Sequence, residues 1–187
     1  MNIPLSWIED YVEITVPVEE LVKRLTLAGL EVEELRYVGL PFSGALGGEQ
    51  VEGQLSPHTK VSGLSWDPDK IVVGEVLEVM PHPNADRLVL CRLNDGVQEH
   101  IVLTGAPNLF PYKGQGPLEK PLKVAYAREG ARIIDGHKAD EEIVTLKRSK
   151  IRGVESYSMA CSEKELGISE DHEGIIILED DAPTGMP

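Results

Sequence analysis

"PHPNADRLVLCRLNDG", residues 81–96, joins a stiff loop to a short apolar run and then to a turn signal. Pro81 and Pro83 bracket His82 and hold the backbone near a φ of about −65°, while Asn84 and Asp86 can bond their own main chain two residues on. "LVLCRL" follows as a strand, and Asn94-Asp95-Gly96 marks a hairpin, because glycine adopts the positive φ that a tight primed turn demands. Working outward, runs of the same kind recur at "IVVGEVLEVM", "HIVLTG", "LKVAYA" and "EIVTLK", separated by turn-forming residues. Five short strands with no long helix between them predict a small closed or nearly closed β-barrel.

The flanks differ. In "TVPVEELVKRLTLAGLEVEEL", Val18, Leu21, Val22 and Leu25 fall at helical spacing, with Pro17 before them and Gly29 beyond. "LEVEELRYV" then alternates as a strand, so residues 1–38, with "LSWIEDYV", form a small α+β unit. Residues 39–69 hold many Gly, Ser and Pro without periodicity and read as a long loop or insertion. Past the barrel, Ser162 and Glu165 form a capping box opening a very short helix that Gly167 closes, and "GIIIL" reads as a buried strand. The fold class is therefore mixed β and α+β. A barrel at 70–152 is inserted into a discontinuous α+β domain of residues 1–38 and 153–187.

The formal charge is −14, which by itself opposes a polyanionic partner. Its distribution reverses that inference: residues 1–80 carry −9, residues 81–152 carry +3, and residues 153–187 carry −8. A basic segment between acidic flanks suggests a nucleic-acid-facing surface. No apolar run approaches the roughly 18 residues of a membrane span. The N-terminus lacks the basic start and apolar stretch of a secretory signal, so a cytoplasmic location is expected.

Chemistry has weak support. Cys91 and Cys161 have neither CxxC pairing nor even spacing and read as reduced, partly buried thiols. His82, Asp86 and Cys91 invite a catalytic or metal-binding reading, but His100, His137 and His172 show no ligand spacing with His82. No nucleophile or oxyanion-stabilising motif accompanies them, so the 81–88 segment reads as a structural turn without metal or cofactor. "KRSK" lies within an expected strand, and "GALGG" lacks the strand before and helix after that a phosphate cradle needs.

"PHPNADRLVLCRLNDG", "LTGAPN" with Gly105, Ala106 and Asn108, "AREGA" and "KIRGVES" with Gly153 and Ser156 together resemble the tRNA-binding OB-fold domain. Several aminoacyl-tRNA synthetases and free tRNA-binding proteins share that domain. "LSWIEDYV", "LAGLEVEEL" and "CSEKELGISEDHEGIIIL", with Cys161-Ser162 and Glu165-Leu166-Gly167, are similar to the start of the bacterial phenylalanyl-tRNA synthetase beta subunit. The resemblance implies a five-stranded OB barrel that assists tRNA recognition or placement for aminoacylation. It implies no catalytic residue in this stretch. For the full enzyme it implies ATP, magnesium, an alpha subunit and the rest of the beta chain, as two alpha and two beta chains. Differences at 39–69, 109–121 and 127–144 fall in loops, where insertion is tolerated.

Stacking on bases is thinly supported, because residues 71–152 hold only Phe110, Tyr112 and Tyr126 as aromatics. Contacts from cations to phosphates are expected instead, from Arg87, Arg92, Lys123 and Arg128, and from Lys147, Arg148, Lys150 and Arg152 in "KRSKIR". Two other readings are a subunit-interaction module with a degenerate barrel, and a free-standing tRNA-binding protein.

Overall fold

The structure is a computed structural model that describes residues 3–39, 50–138 and 142–187. "GALGG" lies outside the described residues, as does part of the 127–144 segment. Helix α1 (Leu5–Glu9) is a turn and a half behind Pro4, and α2 (Val18–Leu27) starts behind Pro17 as the sequence predicts. The end of α2 is set by Gly29 at φ 91°, where Leu30 N–H bonds Leu25 C=O at 2.9 Å and Gly29 N–H bonds Thr26 C=O at 3.0 Å. Those two bonds satisfy carbonyls that a helix end otherwise leaves without partners.

Strands β1 (Glu34–Val38), β2 (Gln50–Ser56) and β3 (Thr59–Leu64) make a sheet in the order β1-β3-β2. Residues 50–64, expected as part of a loop, are thus mostly a hairpin. Its turn is closed by Ser56 Oγ, which accepts the N–H groups of His58 and Thr59. Glycine and serine hid the strand pattern from a reading by periodicity.

The main sheet follows. β4 (Ile71–Pro81), β5 (Val89–Asn94), β6 (Glu99–Thr104), a 3-10 turn (Pro107–Tyr112) and β7 (Pro117–Ala127) come in chain order. Short β8 (Arg132–Ile134), β9 (Ile143–Thr145), β10 (Ser149–Ile151), β11 (Val154–Ser156) and β12 (Met159–Ala160) complete the set. The five-stranded antiparallel sheet has the order β12-β7-β4-β5-β6, and its edge strands β12 and β6 also meet, so it is a nearly closed barrel of the OB type. Four of the five expected barrel strands are present. The fifth differs: "EIVTLK" contributes β9, which pairs only with β8, and the barrel takes Met159–Ala160 instead. A two-residue strand carries too little periodicity to be seen in sequence.

Alternation explains the core. In β5, Val89, Cys91 and Leu93 point inward, and they meet Val76 and Val79 of β4, Val102 of β6, Val124 and Tyr126 of β7, and Leu109. Burying each such side chain contributes about 1.5–3 kcal/mol. Burial pushes the Cys91 thiol up to about 12 and the Cys161 thiol well above its ordinary value, so both are poor nucleophiles at neutral pH. They are fully, not partly, buried.

Two further expectations are corrected. Ser162 Oγ and N–H both bond Glu165 Oε2, at 2.8 and 2.6 Å, but residues 163–167 form turns and not a helix. "GIIIL" forms a single bridge, Ile177 to Val124, with Ile175 buried and Ile177 exposed. Contacts divide the chain into two units: Met1–Arg36 with Glu52–Ser62, and Tyr37–Val51 with Gly63–Pro187. Residues 153–187, grouped by sequence with 1–38, therefore fall in the unit that holds the barrel.

Candidate nucleic-acid interface

His82 is buried behind β4, and its Nδ1 accepts the N–H of Asn84 at 3.0 Å. Asp86 offers its backbone carbonyl to Lys113 Nζ at 3.0 Å, while Cys91 points into the barrel core. These three side chains are not assembled into a site. Pro81 ends β4, Pro83 is exposed, and Asn84 Nδ2 reaches across to the carbonyl of Arg152 at 3.3 Å. The 81–88 loop is thus a brace for the hairpin of β10 and β11.

Other motif residues are also structural. Asn108 pairs its amide with the main chain of Ile175, donating to its carbonyl at 2.9 Å and accepting its N–H at 3.3 Å. Gly105 leaves Cβ space of 3.5 Å to the carbonyl of Arg87. Ser156 accepts a bond on its carbonyl from Ser149 Oγ. Gly167, at φ 73°, lets Leu166 present its carbonyl to Trp66 Nε1 at 3.0 Å.

The eight cations divide sharply. Arg128 is a clamp: Nε bonds Asp95 Oδ2 at 2.9 Å, Nη2 bonds Asp95 O, and Nη1 bonds Asp69 O. Asp95 also caps the β5–β6 loop by accepting the N–H groups of Val97 and Gln98. Burial alone would raise its carboxyl, but those two backbone bonds, Arg128 and His100 outweigh it and bring it down to about 2. The β5–β6 loop is four residues long, with Gly96 at φ 86°, and is not the two-residue primed turn expected at Asn94-Asp95-Gly96. Lys123, mostly buried, pairs with Glu75 at 2.9 Å and bonds Thr184 Oγ1 at 2.7 Å. Arg92 pairs with Glu78 and Glu99, both at 3.3 Å, and Arg148 pairs with Glu129 at 2.8 Å and Glu155 at 3.0 Å. Neighbouring acids therefore neutralise these four.

Arg87, Lys147, Lys150 and Arg152 are exposed, and among the described residues they form no ion pair. Three of them sit on or beside the β10–β11 hairpin, whose register is Ser149↔Ser156, Lys150↔Glu155 and Ile151↔Val154. Its turn is Arg152-Gly153, at φ 52° and 92°, the primed geometry in which both central residues take positive φ. An arginine is strained there, and the Asn84 bond to its carbonyl holds the peptide in place.

Beside this hairpin lies a cavity of about 540 Å³, lined by Arg92, Glu99, His100, Ile101, Val154, Glu155 and Tyr157. Tyr157 hydrogen-bonds His100 Nδ1 at 3.2 Å, and the Arg148 guanidinium lies over its ring at 4.3 Å. His100 Nε2 lies 3.2 Å from Asp95 Oδ2. Sequence reasoning missed Tyr157, because the count of aromatics stopped at residue 152. Of the three it did count, Tyr126 is wholly buried, Tyr112 packs partly on the core, and Phe110 is exposed. Among the described residues, no group of three or more His, Cys, Asp or Glu is placed to hold a metal ion. No helix among the described residues is long and apolar enough to cross a membrane.

Comparison with known proteins gives the same direction. The chain is 40% identical over 186 residues to a phenylalanine–tRNA ligase beta subunit of Dehalococcoides mccartyi, with all of this chain and 18% of that protein covered. It is 38% identical to the same subunit of Geobacter metallireducens and 36% identical to that of Protochlamydia amoebophila, covering 100% and 99% of this chain and 18% of each relative. It corresponds to the N-terminal part of these subunits and spans about a fifth of their length. A MetRS-related protein of Pyrococcus horikoshii superposes with a TM-score of 0.39 and 18% identity over 63% of this chain and 86% of that chain, too loosely to bear on the fold. The family model described as a putative tRNA binding domain matches residues 71–187, well over half of the sequence, and the chain belongs to that tRNA-binding domain family.

Proposed function

We propose that this chain is the tRNA-binding N-terminal part of a cytoplasmic phenylalanine–tRNA ligase beta subunit and that it helps to place tRNA for aminoacylation. It works as a non-catalytic part of that enzyme. The ATP, magnesium and alpha subunit needed for the reaction belong to the remainder of an assembly of two alpha and two beta chains. One observation carries the reading: in a chain of net charge −14, four of the eight cations of the basic segment named above stay exposed without acidic partners, three of them on or beside one braced hairpin. Such cations contact phosphates without reading sequence, which suits a module that positions RNA by shape.

Binding of this kind releases counterions. Each phosphate neutralised contributes roughly −0.7 to −0.9 to the slope of log affinity against log salt. With three or four contacts, tRNA affinity is expected to fall about 20- to 150-fold between roughly 50 and 200 mM salt. Fluorescence anisotropy with labelled tRNA measures this. Absence of tRNA binding at low salt would remove the reading.

A second role is favoured by the first unit. Trp7 is 65% exposed, Tyr11 91%, Leu27 79% and Leu30 64%, and α1 buries nothing. Surface apolar groups of this size mark interaction sites, and residues 1–36 carry eight acids against three bases, with Glu9, Asp10, Glu31 and Glu33 close in sequence to the exposed groups. The occupant we infer is a basic-rimmed surface of the remaining ligase chains, which make up most of the relatives' length. Co-expression with those chains is expected to retain this one, and Trp7→Ser with Leu27→Ser to release it. Equal retention of the double variant would refute the role.

A further inference from the structure

We propose that the cavity beside the β10–β11 hairpin receives one unpaired guanine base of the bound RNA. This deepens the tRNA-binding reading and rests on it. The cavity, at about 540 Å³ and open to solvent on its outer side, has space for a single base with its ribose left outside. Its walls are not suited to phosphate, because two of the seven lining side chains are carboxylates, Glu99 and Glu155. Phosphates are instead drawn to Lys150 and Arg152 on the same hairpin that supplies Val154 and Glu155 to the cavity. A strand tracking the hairpin can therefore turn one base inward.

The apolar part of the site is a prepared stacking surface. Tyr157 is held by its hydroxyl bond to His100, which is buried among the barrel strands, and by the Arg148 guanidinium over its ring. Arg148 does not line the cavity. A ring fixed in this way loses little freedom on binding, and Ile101, 41% exposed, offers a second apolar contact.

The polar part selects the base. Glu99 uses Oε2 to bind Arg92, and Glu155 uses Oε2 to bind Arg148, so each has its Oε1 available. Arg92 binds its two acids through Nε and Nη1. A carboxylate beside an arginine therefore offers acceptors next to a donor. Guanine alone presents two parallel donors, N1–H and the N2 amine, beside an acceptor, O6. Adenine and cytosine each present one donor on that edge, and uracil one donor between acceptors.

The test uses the full 187-residue chain and uridine octamers carrying one central guanosine, inosine or adenosine, all of equal charge. Inosine lacks only the N2 amine. The guanosine octamer is expected to bind about tenfold tighter than the other two, the size of one good base contact. Glu99→Gln, at an exposed position, is expected to bring the ratio near one without loss of fold, and Tyr157→Phe to weaken all three octamers alike. Equal affinity for guanosine and inosine in the unaltered chain, with tRNA binding intact, overturns the guanine site and leaves the tRNA reading standing. Loss of binding to every RNA overturns both.

Discussion

Asp95→Ala is expected to cost about 2–4 kcal/mol of folding stability, since it removes a buried carboxylate that accepts from Arg128 and two backbone N–H groups. Asp95 is 3% exposed and ties the end of β5 to Arg128, the residue after β7, while also accepting the N–H groups of Val97 and Gln98. Removing its carboxylate leaves two backbone donors without their acceptor and the Arg128 guanidinium with only the main-chain carbonyls of Asp69 and Asp95. Urea unfolding followed by circular dichroism measures the loss. A pH dependence accompanies it. The Asp95 carboxyl sits at about 2 in the fold against 3.8 for the free side chain. Its contribution is therefore fully present above about pH 5 and is lost as pH falls toward 2, amounting to about 2 kcal/mol. The variant should show an acid limb shallower by that amount. Identical limbs in the two proteins would mean that Asp95 does not carry the linkage.

The second large effect concerns RNA. Lys147→Gln, Lys150→Gln and Arg152→Asn together remove three of the four predicted RNA-contacting cations that lack acidic partners; asparagine is chosen at 152 because it tolerates the φ of 52° found there. Affinity for tRNA is expected to fall about 10- to 100-fold at roughly 50 mM salt, and the salt slope to flatten by about 2–3. The hairpin residues of β10 are exposed, so the fold should survive. Lys120→Gln is the matched control, since Lys120 is as exposed but already paired with Asp180. An equal loss in the control would locate the attraction in overall charge and not in the hairpin.

Much of the barrel was legible because its signals are local. Ile71–Pro81, Val89–Asn94, Glu99–Thr104 and Pro117–Ala127 each carry a short apolar run set off by turn-forming residues, and in β5 the buried positions strictly alternate. The schedule of turns was less reliable. Asn94-Asp95-Gly96 promised a primed turn, yet the Asp95 side chain organises a longer loop by accepting two backbone bonds. The primed turn is Arg152-Gly153, which only the pairing of β10 with β11 exposes.

The sequence alone determined the family motifs, four barrel strands and the cation-rich middle, since composition and short-range spacing fix those. Tertiary structure decided which cations remain available to a partner. Arg128 meets Asp95 across 33 residues and Lys123 meets Glu75 across 48, so folding neutralises charges that look free in a linear count. It also decided the fifth strand and the Tyr157 platform, because each depends on residues that become neighbours only after the barrel closes.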